Sequence, residues 1–383
     1  MEFTLNDEQR MLQDAVSRLV ERDYRFEQRR AYAREADGWS RALWAKAAEI
    51  GLFGLAYPAA HGGLGGGPVE LMIAMQVLGR ALPLEPLLPT MALGPAALRD
   101  ASDEQCARWI GPLASGERTL AWAHAEPQSR YRLHDVVCRA RRDGAAWVLD
   151  GDKSAVLHGD SADALLVTAR VSGAARDRDG LALFLVDARA PGIVRRAWRT
   201  QDGRRAADIR LEALRLEAAD AIGQPGAAAP LIDAVVQAGI AALAAEAVGV
   251  MEGALAMTVE HLKTREQFGA PIARLQALQH RCAEMLIAVE QARSMAMFAA
   301  LMLGEPDAAE RAAALSAVKV QIGLAARLVG QQAVQLHGAI GVTEEYPVGH
   351  CLKRLTVLET EFGDSQHHLA LFARCGGFGE RAA

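Results

Sequence analysis

Cysteine is scarce in this 383-residue chain: Cys106, Cys138, Cys282, Cys351 and Cys375 lie far apart and form no C-x-x-C pair. An odd, dispersed set excludes a disulfide framework and suits reduced packing thiols in a cytoplasmic protein. Ten histidines include His367-His368, but no H-E-x-x-H or comparable ligand spacing occurs, so no metal is expected. A G-x-S-x-G elbow is missing too, which leaves the Ser, His and Asp residues without a hydrolase setting. The formal net charge of −5 provides no basic footprint for nucleic acid. No apolar run approaches the roughly 20 residues of a membrane span, so no span is expected. Met1-Glu2-Phe3-Thr4 carries neither a positive n-region nor an apolar h-region, so no secretory signal is expected.

What remains is a globular composition, 51% hydrophobic and 23% charged, long enough for two to three sub-domains. Apolar residues recur near the 3.6 period over 3–35, with Asn6 or Asp7 placed as a cap. Ser40 opens a second helix through Ala48. His61-Gly62-Gly63-Leu64-Gly65-Gly66-Gly67-Pro68 imitates a phosphate loop, but it follows a helical pattern and has no Lys, so it is an inter-helix loop. Helices resume over Val69–Leu78, through Ala96 and over Glu104–Ile110. At Thr119 the pattern changes to short strands: 119–123, 136–140, 146–149, 155–157, 164–169, 181–186 and 207–211. Asp143-Gly144 and Asp150-Gly151 supply turn signals. The basic run Arg195–Arg199 is a solvated strand face. With no helices interposed, the stretch predicts an antiparallel barrel or sandwich. From Ala227 helices dominate: Ala227–Thr264, Leu275–Leu303, Asp307–His337, Val348–Leu358 and Gln366–Phe372, a bundle with short loops. The expected fold is multi-domain α+β: an all-α domain over 1–118, a β domain over 119–225 and a C-terminal four-helix bundle over 226–383.

Two stretches stand out for chemistry. In Arg265-Glu266-Gln267-Phe268-Gly269-Ala270-Pro271-Ile272, Gly269 and Pro271 stop one helix and the next restarts near Ile272. The break gathers Arg265, Gln267, Phe268 and Gln276: a guanidinium fork, amides and a flat apolar face suited to an adenosine pyrophosphate. An ordinary helical corner with an incidental Arg is the competing reading. In Gln335-Leu336-His337-Gly338-Ala339-Ile340-Gly341, the glycines let backbone approach a ribityl chain or a phosphate closely, or simply cap a helix.

Together these runs, the Gln276…Gln279-His280…Ala283-Glu284-Met285 continuation and the opening Leu5-Asn6-Asp7-Glu8-Gln9 resemble the acyl-CoA dehydrogenase family over nearly the whole chain. Gln128-Ser129-Arg130-Tyr131, Leu157–Asp163 and Phe362-Gly363-Asp364-Ser365 are similar to chains called pimeloyl-CoA dehydrogenase small subunits. The resemblance implies the α, β, α-bundle arrangement and an FAD cofactor contacted by Arg265, Gln267, Phe268, Gln276, Gln335, Gly338, Ala339, Asp364 and Gln366. It implies α,β-desaturation of an acyl-CoA, in which a carboxylate takes the α-proton and the β-hydride passes to the flavin. An electron-transferring flavoprotein is the implied acceptor. In the family the 265–276 corner reaches across a dimer interface to a neighbour's FAD.

The sequence also departs from that family. The common base position falls on Phe362, and the alternative base and substrate Arg positions fall on Gly239 and Ile240. The flavin-stacking Trp and its Thr neighbour fall on Ala155 and Leu157. Carboxylates left as catalytic candidates are Glu361 and Asp364, with Glu246 third, since a buried Glu in an alanine-rich helix is functional or paired. Arg130 is the candidate for a distal substrate carboxylate, against an ordinary surface role. Three functions follow as expectations: the small subunit of a heteromeric dehydrogenase, a self-sufficient homo-oligomer with a displaced base, or a non-catalytic structural paralogue. A flavin monooxygenase or nitroalkane oxidase on the same fold stays open.

Overall fold

The structure, a computed structural model, describes residues 4–375. In chain order it runs α1 (Asp7–Asp23), α2 (Phe26–Tyr32), α3 (Arg41–Glu49), α4 (Pro68–Gly79), α5 (Gly94–Leu98) and α6 (Asp103–Ala114). Strands follow: β1 (Leu120–Ala123), β2 (Arg139–Asp143), β3 (Ala146–Leu157), β4 (Ala164–Arg170), β5 (Leu181–Asp187), β6 (Ile193–Arg199), β7 (Arg205–Leu216) and β8 (Ala221–Gly226). Then come α7 (Ala229–Thr264), the short strands β9 (Glu266–Gln267) and β10 (Ala270–Pro271), α8 (Gln276–Met302), α9 (Ala308–His337), α10 (Pro347–Thr360) and α11 (Ser365–Arg374). Side-chain caps set several starts: Asn6 with Gln9 and Ser102 with Gln105 form reciprocal boxes, while Ser40, Asp307 and Asp364 accept from backbone N–H groups one turn on. The helix expected over 3–35 is two helices, broken after Asp23.

The chain divides into two compact units. One comprises 30–67 and 84–239 and carries the sheet, in the order β6-β7-β3-β2-β4-β5-β8, with β1 on β4. Pairing is antiparallel except that β1 runs parallel to β4 and β2 meets β4 in parallel at Arg139 and Arg170, so the sheet is mixed. Asp143-Gly144 makes the β2–β3 hairpin turn, with Gly144 at φ 62°. Asp150-Gly151 does not turn. It lies inside β3, where the register slips and a Cβ at Gly151 would meet Cys138 at 2.6 Å. The strand expected over 136–140 begins instead at Arg139, and β8 was not anticipated. The glycine-rich 61–68 stretch folds back on its own chain: Gly65 N donates to Tyr57 O at 2.9 Å and Gly66 N to Leu55 O at 2.7 Å. Those amides are spent, as an inter-helix loop requires. Arg170, fully buried, closes the unit's loops by donating to the carbonyls of Val136, His134, Asp177 and Asp179 at 2.8–3.0 Å.

The other unit comprises 1–29, 68–83 and 240–383 and is helical. Here one expectation is corrected. The helices α7, α8 and α9 are long and apolar enough, by length and composition, to cross a membrane. Alanine spread along a helix raises mean hydropathy without an unbroken aliphatic run. In α7 that apolarity is spent internally, since the most apolar window is 94% buried in the protein. Close packing explains two small residues: a Cβ at Gly79 would sit 2.2 Å from Glu246 O, and one at Gly249 would sit 1.9 Å from Gln76 O.

Candidate cofactor arm and carboxylate cluster

The arm begins where α7 ends. The helix stops at Thr264, the end expected from its periodicity, and α8 restarts at Gln276. Between them stands a hairpin, not a bare corner. Gln267 pairs with Ala270, so Phe268-Gly269 is a two-residue turn with φ of 53° and 77°. Positive φ at both positions is the primed turn that matches strand twist, at a steric cost for Phe. Ile272 N closes the loop on Arg265 O at 2.9 Å. Arg265, Gln267 and Gln276 are exposed, and Phe268 is 94% exposed. The turn thus holds an apolar ring outward, at positive φ, with its faces open to solvent.

The second family-like run caps α9. Gly338, at φ 65°, ends the helix and a short 3-10 turn follows over Gly338–Val342. Gln335, Gly338 and Ala339 are exposed. Gly341 is required sterically, because a Cβ would stand 2.8 Å from Val334 O. Both the arm and this turn belong to the helical unit.

The carboxylates meet different fates. Glu246, 1% exposed, takes a bidentate pair from Arg354: Nε to Oε1 at 2.8 Å and Nη2 to Oε2 at 2.9 Å. The third nitrogen of that fork, Nη1, holds Glu361 Oε1 at 2.7 Å. Glu246 is therefore paired, and Glu361 is tied to the same guanidinium. Glu361 Oε2 is buried without a hydrogen-bond partner. Asp364 caps α11 through His367 N at 2.8 Å, and Gln366 lies exposed beyond it. Phe362, which the resemblance would put at the family's base position, adopts φ 58°, and its carbonyl lies 2.9 Å from His368 Nε2. Lys319 buttresses the end of α10 by donating to Leu358 O and Glu359 O, both at 2.8 Å; burial lowers its pKa to about 8. Sequence reasoning missed Arg354. Its signal was present: it shares the apolar stripe of Val348, Cys351, Leu355 and Leu358 on α10, where a charge demands partners.

In the sheet unit the 125–131 loop is built on Glu126. Its carboxylate accepts from Lys153 Nζ at 2.7 Å, Val137 N at 2.7 Å and Gln128 Nε2 at 2.9 Å. Neighbouring His124 is pushed down to about 3, first by burial and then by Lys153. These groups are committed to structure. Arg130 is exposed at φ 47°. Ala155 donates to Asp208 Oδ1 at 3.1 Å beside a cleft of about 660 Å³, whose walls carry the Arg196–Asp208 and Arg210–Asp152 pairs. As a test of fit to FAD, the exposed arm offers a fork, amides and a ring. Ala155 and Leu157 offer neither a stacking ring nor a hydroxyl. Among the described residues no cluster of three or more His, Cys, Asp or Glu side chains is placed to hold a metal ion.

Models of the acyl-CoA dehydrogenase N-terminal, middle and C-terminal domains match residues 6–117, 121–218 and 232–376. The chain belongs to the acyl-CoA dehydrogenase family. It is an oxidoreductase of that family, whose members are FAD-dependent flavoproteins. It is 32% identical to acyl-CoA dehydrogenase FadE12 of Mycobacterium tuberculosis over 351 residues, 90% of each chain. It is 28% identical to the probable acyl-CoA dehydrogenase YngJ of Bacillus subtilis, over 98% of this chain and 99% of that one. Among solved structures it matches a chain of the ChsE4–ChsE5 complex from Mycobacterium tuberculosis with a TM-score of 0.87 and 25% identity, over 99% of this chain and 100% of that one.

Proposed function

We propose that this chain, organised as domains 1–118, 119–225 and 226–383, is the small subunit of a heteromeric acyl-CoA dehydrogenase in the cytoplasm. A larger homologous subunit would supply the base and the flavin pocket. This chain would lend Arg265, Gln267, Phe268 and Gln276, with Gln335, Gly338 and Ala339, to hold the cofactor. The observation that carries this reading is an asymmetry: the arm is exposed and complete in chemistry, while Glu361 is bound to Arg354 and Asp364 caps a helix. A base must be free to approach Cα of the thioester, and neither carboxylate is. FAD, when bound, would accept the β-hydride; the arm's part is to bind and orient it. The ChsE4–ChsE5 relative is itself a complex of two chains by its description. Exposed apolar residues on α8 and α9, among them Ile287, Phe298, Leu301 and Leu324, suit burial against such a subunit. A dicarboxylic acyl-CoA, with Arg130 near its distal carboxylate, and an electron-transferring flavoprotein as acceptor complete the proposal.

One observation favours the self-sufficient alternative: Glu361 Oε2 is left without a partner and is an acceptor in reserve. The two readings separate in one assay. The chain purified alone, with added FAD, is given acyl-CoA and an artificial electron acceptor. The small-subunit reading expects no turnover above background. Ordinary turnover that disappears in Glu361→Ala or Asp364→Ala establishes the alternative instead.

A further inference from the structure

The two cofactor-facing segments are about 70 residues apart in the chain, yet an imidazole pair joins their bases. His261, in the last turn of α7, stacks on His337, the last residue of α9, with ring centroids 4.5 Å apart and 26° between planes. Tyr346 packs against His337 at 5.0 Å. Arg265 N, at the root of the arm, donates to His261 O at 2.8 Å, and Gly338 follows His337 directly. His337 is 5% exposed. Its Nδ1 lies 2.7 Å from the Ala333 carbonyl and so carries the hydrogen, while Nε2 is buried and makes no hydrogen bond of ordinary geometry, with the Met257 backbone of α7 beside the ring. A neutral ring of that tautomer stacks without repulsion. A second proton would enter at Nε2, where a cation would face His261 at stacking distance.

We propose that His337 is a positioning residue for the cofactor: stacked on His261 it fixes the arm against the 335–341 turn, and protonation of the stack releases the arm. The inference rests on reading the arm as the cofactor holder. The titratable and charged groups facing the stack are His261 and Arg265 from α7 and Tyr346 from the α9–α10 connection, with the backbone carbonyls of Ala333 from α9 and Met257 from α7. Burial lowers the pKa of both histidines, and for His261 the neighbouring His337 and Arg265 lower it further. The backbone carbonyls beside His337 oppose that trend without reversing it. Folded values below the ordinary one of about 6.5 mean that the stack is intact above that pH and lost as pH falls below it.

The test uses the co-expressed complex of this chain with its larger subunit. The FAD Kd is measured from pH 5.5 to 8, together with trypsin cleavage after Arg265 and Arg274, normalised to an unfolded peptide at each pH. Wild type is expected to lose affinity below about pH 6.5, by up to about tenfold per pH unit for one linked proton, with cleavage accelerating over the same interval. His337→Phe stacks without titrating and should flatten both profiles while matching wild-type affinity at pH 8. His261→Phe should do the same, which guards against a folding defect in either variant. Wild-type pH profiles in both Phe variants would overturn the proposal. An Arg265→Ala complex that holds FAD as wild type does overturns the arm reading, and the cofactor role of the stack with it.

Discussion

At the scale of single residues, Arg354 decides what the carboxylates of this chain can do. One guanidinium serves two glutamates, and all three side chains are largely withdrawn from water: Arg354 is 2%, Glu246 1% and Glu361 12% exposed. Taking these charges out of solvent is compensated only while the fork stays paired, because a lone buried charge costs far more than a satisfied one. Arg354→Met should therefore destabilise the protein by about 3–5 kcal/mol in chemical denaturation, since it strands Glu246. The double variant Arg354→Met with Glu246→Leu should recover much of that loss, because a matched apolar pair needs no counter-charge. If both variants unfold at the same denaturant concentration as wild type, the triad is not holding α7 to α10. From the sequence, Glu246 was recognisable as a residue needing a partner. The partner was not, because a pairing across 108 positions is set by how α7 and α10 pack and leaves no local pattern.

At the scale of elements, periodicity and caps located the long helices to within a few residues. The 3.6 spacing over α7, α8 and α9 is strong, and Ser40 caps α3 as expected; Asp307 and Asp364 also cap helices, a role the sequence had not marked for them. Short elements were less legible. The Asp150-Gly151 pair carries a turn signal, yet tertiary pairing with β7 draws it through as a bulge inside β3. Likewise the 265–276 corner was legible as a break, but its hairpin was not. A primed turn with Phe at φ 53° runs against local preference, and such conflicts concentrate at functional positions. This gives a prediction for the element. Phe268→Gly should leave stability unchanged or raise it by about 1 kcal/mol, as the strain is relieved. The same variant should weaken FAD retention in the complex when measured by dialysis. Unchanged retention would mean that the exposed ring does not serve the cofactor.

For the whole molecule, the family frame spans all three matched segments, and the resemblance carried by Arg265–Met285 and Gln335–Gly341 pointed to it from the sequence. What the frame lacks is equally informative. A dehydrogenase of this kind needs a base aimed at the substrate and a surface on which the flavin rests. On the placement that the resemblance implies, Phe362 would stand at the base position and Ala155 at the ring position, while the candidate carboxylates Glu361 and Asp364 are engaged with Arg354 and the start of α11. The exposed arm then makes sense as a contribution to another subunit's site. The most direct measurement is the FAD content of the chain purified alone, compared with the chain co-expressed with a larger acyl-CoA dehydrogenase subunit. The account predicts a colourless protein alone and about one FAD per pair in the complex, reduced by Arg265→Ala in this chain. Stoichiometric FAD in the isolated chain, with acyl-CoA bleaching its absorbance, would contradict it.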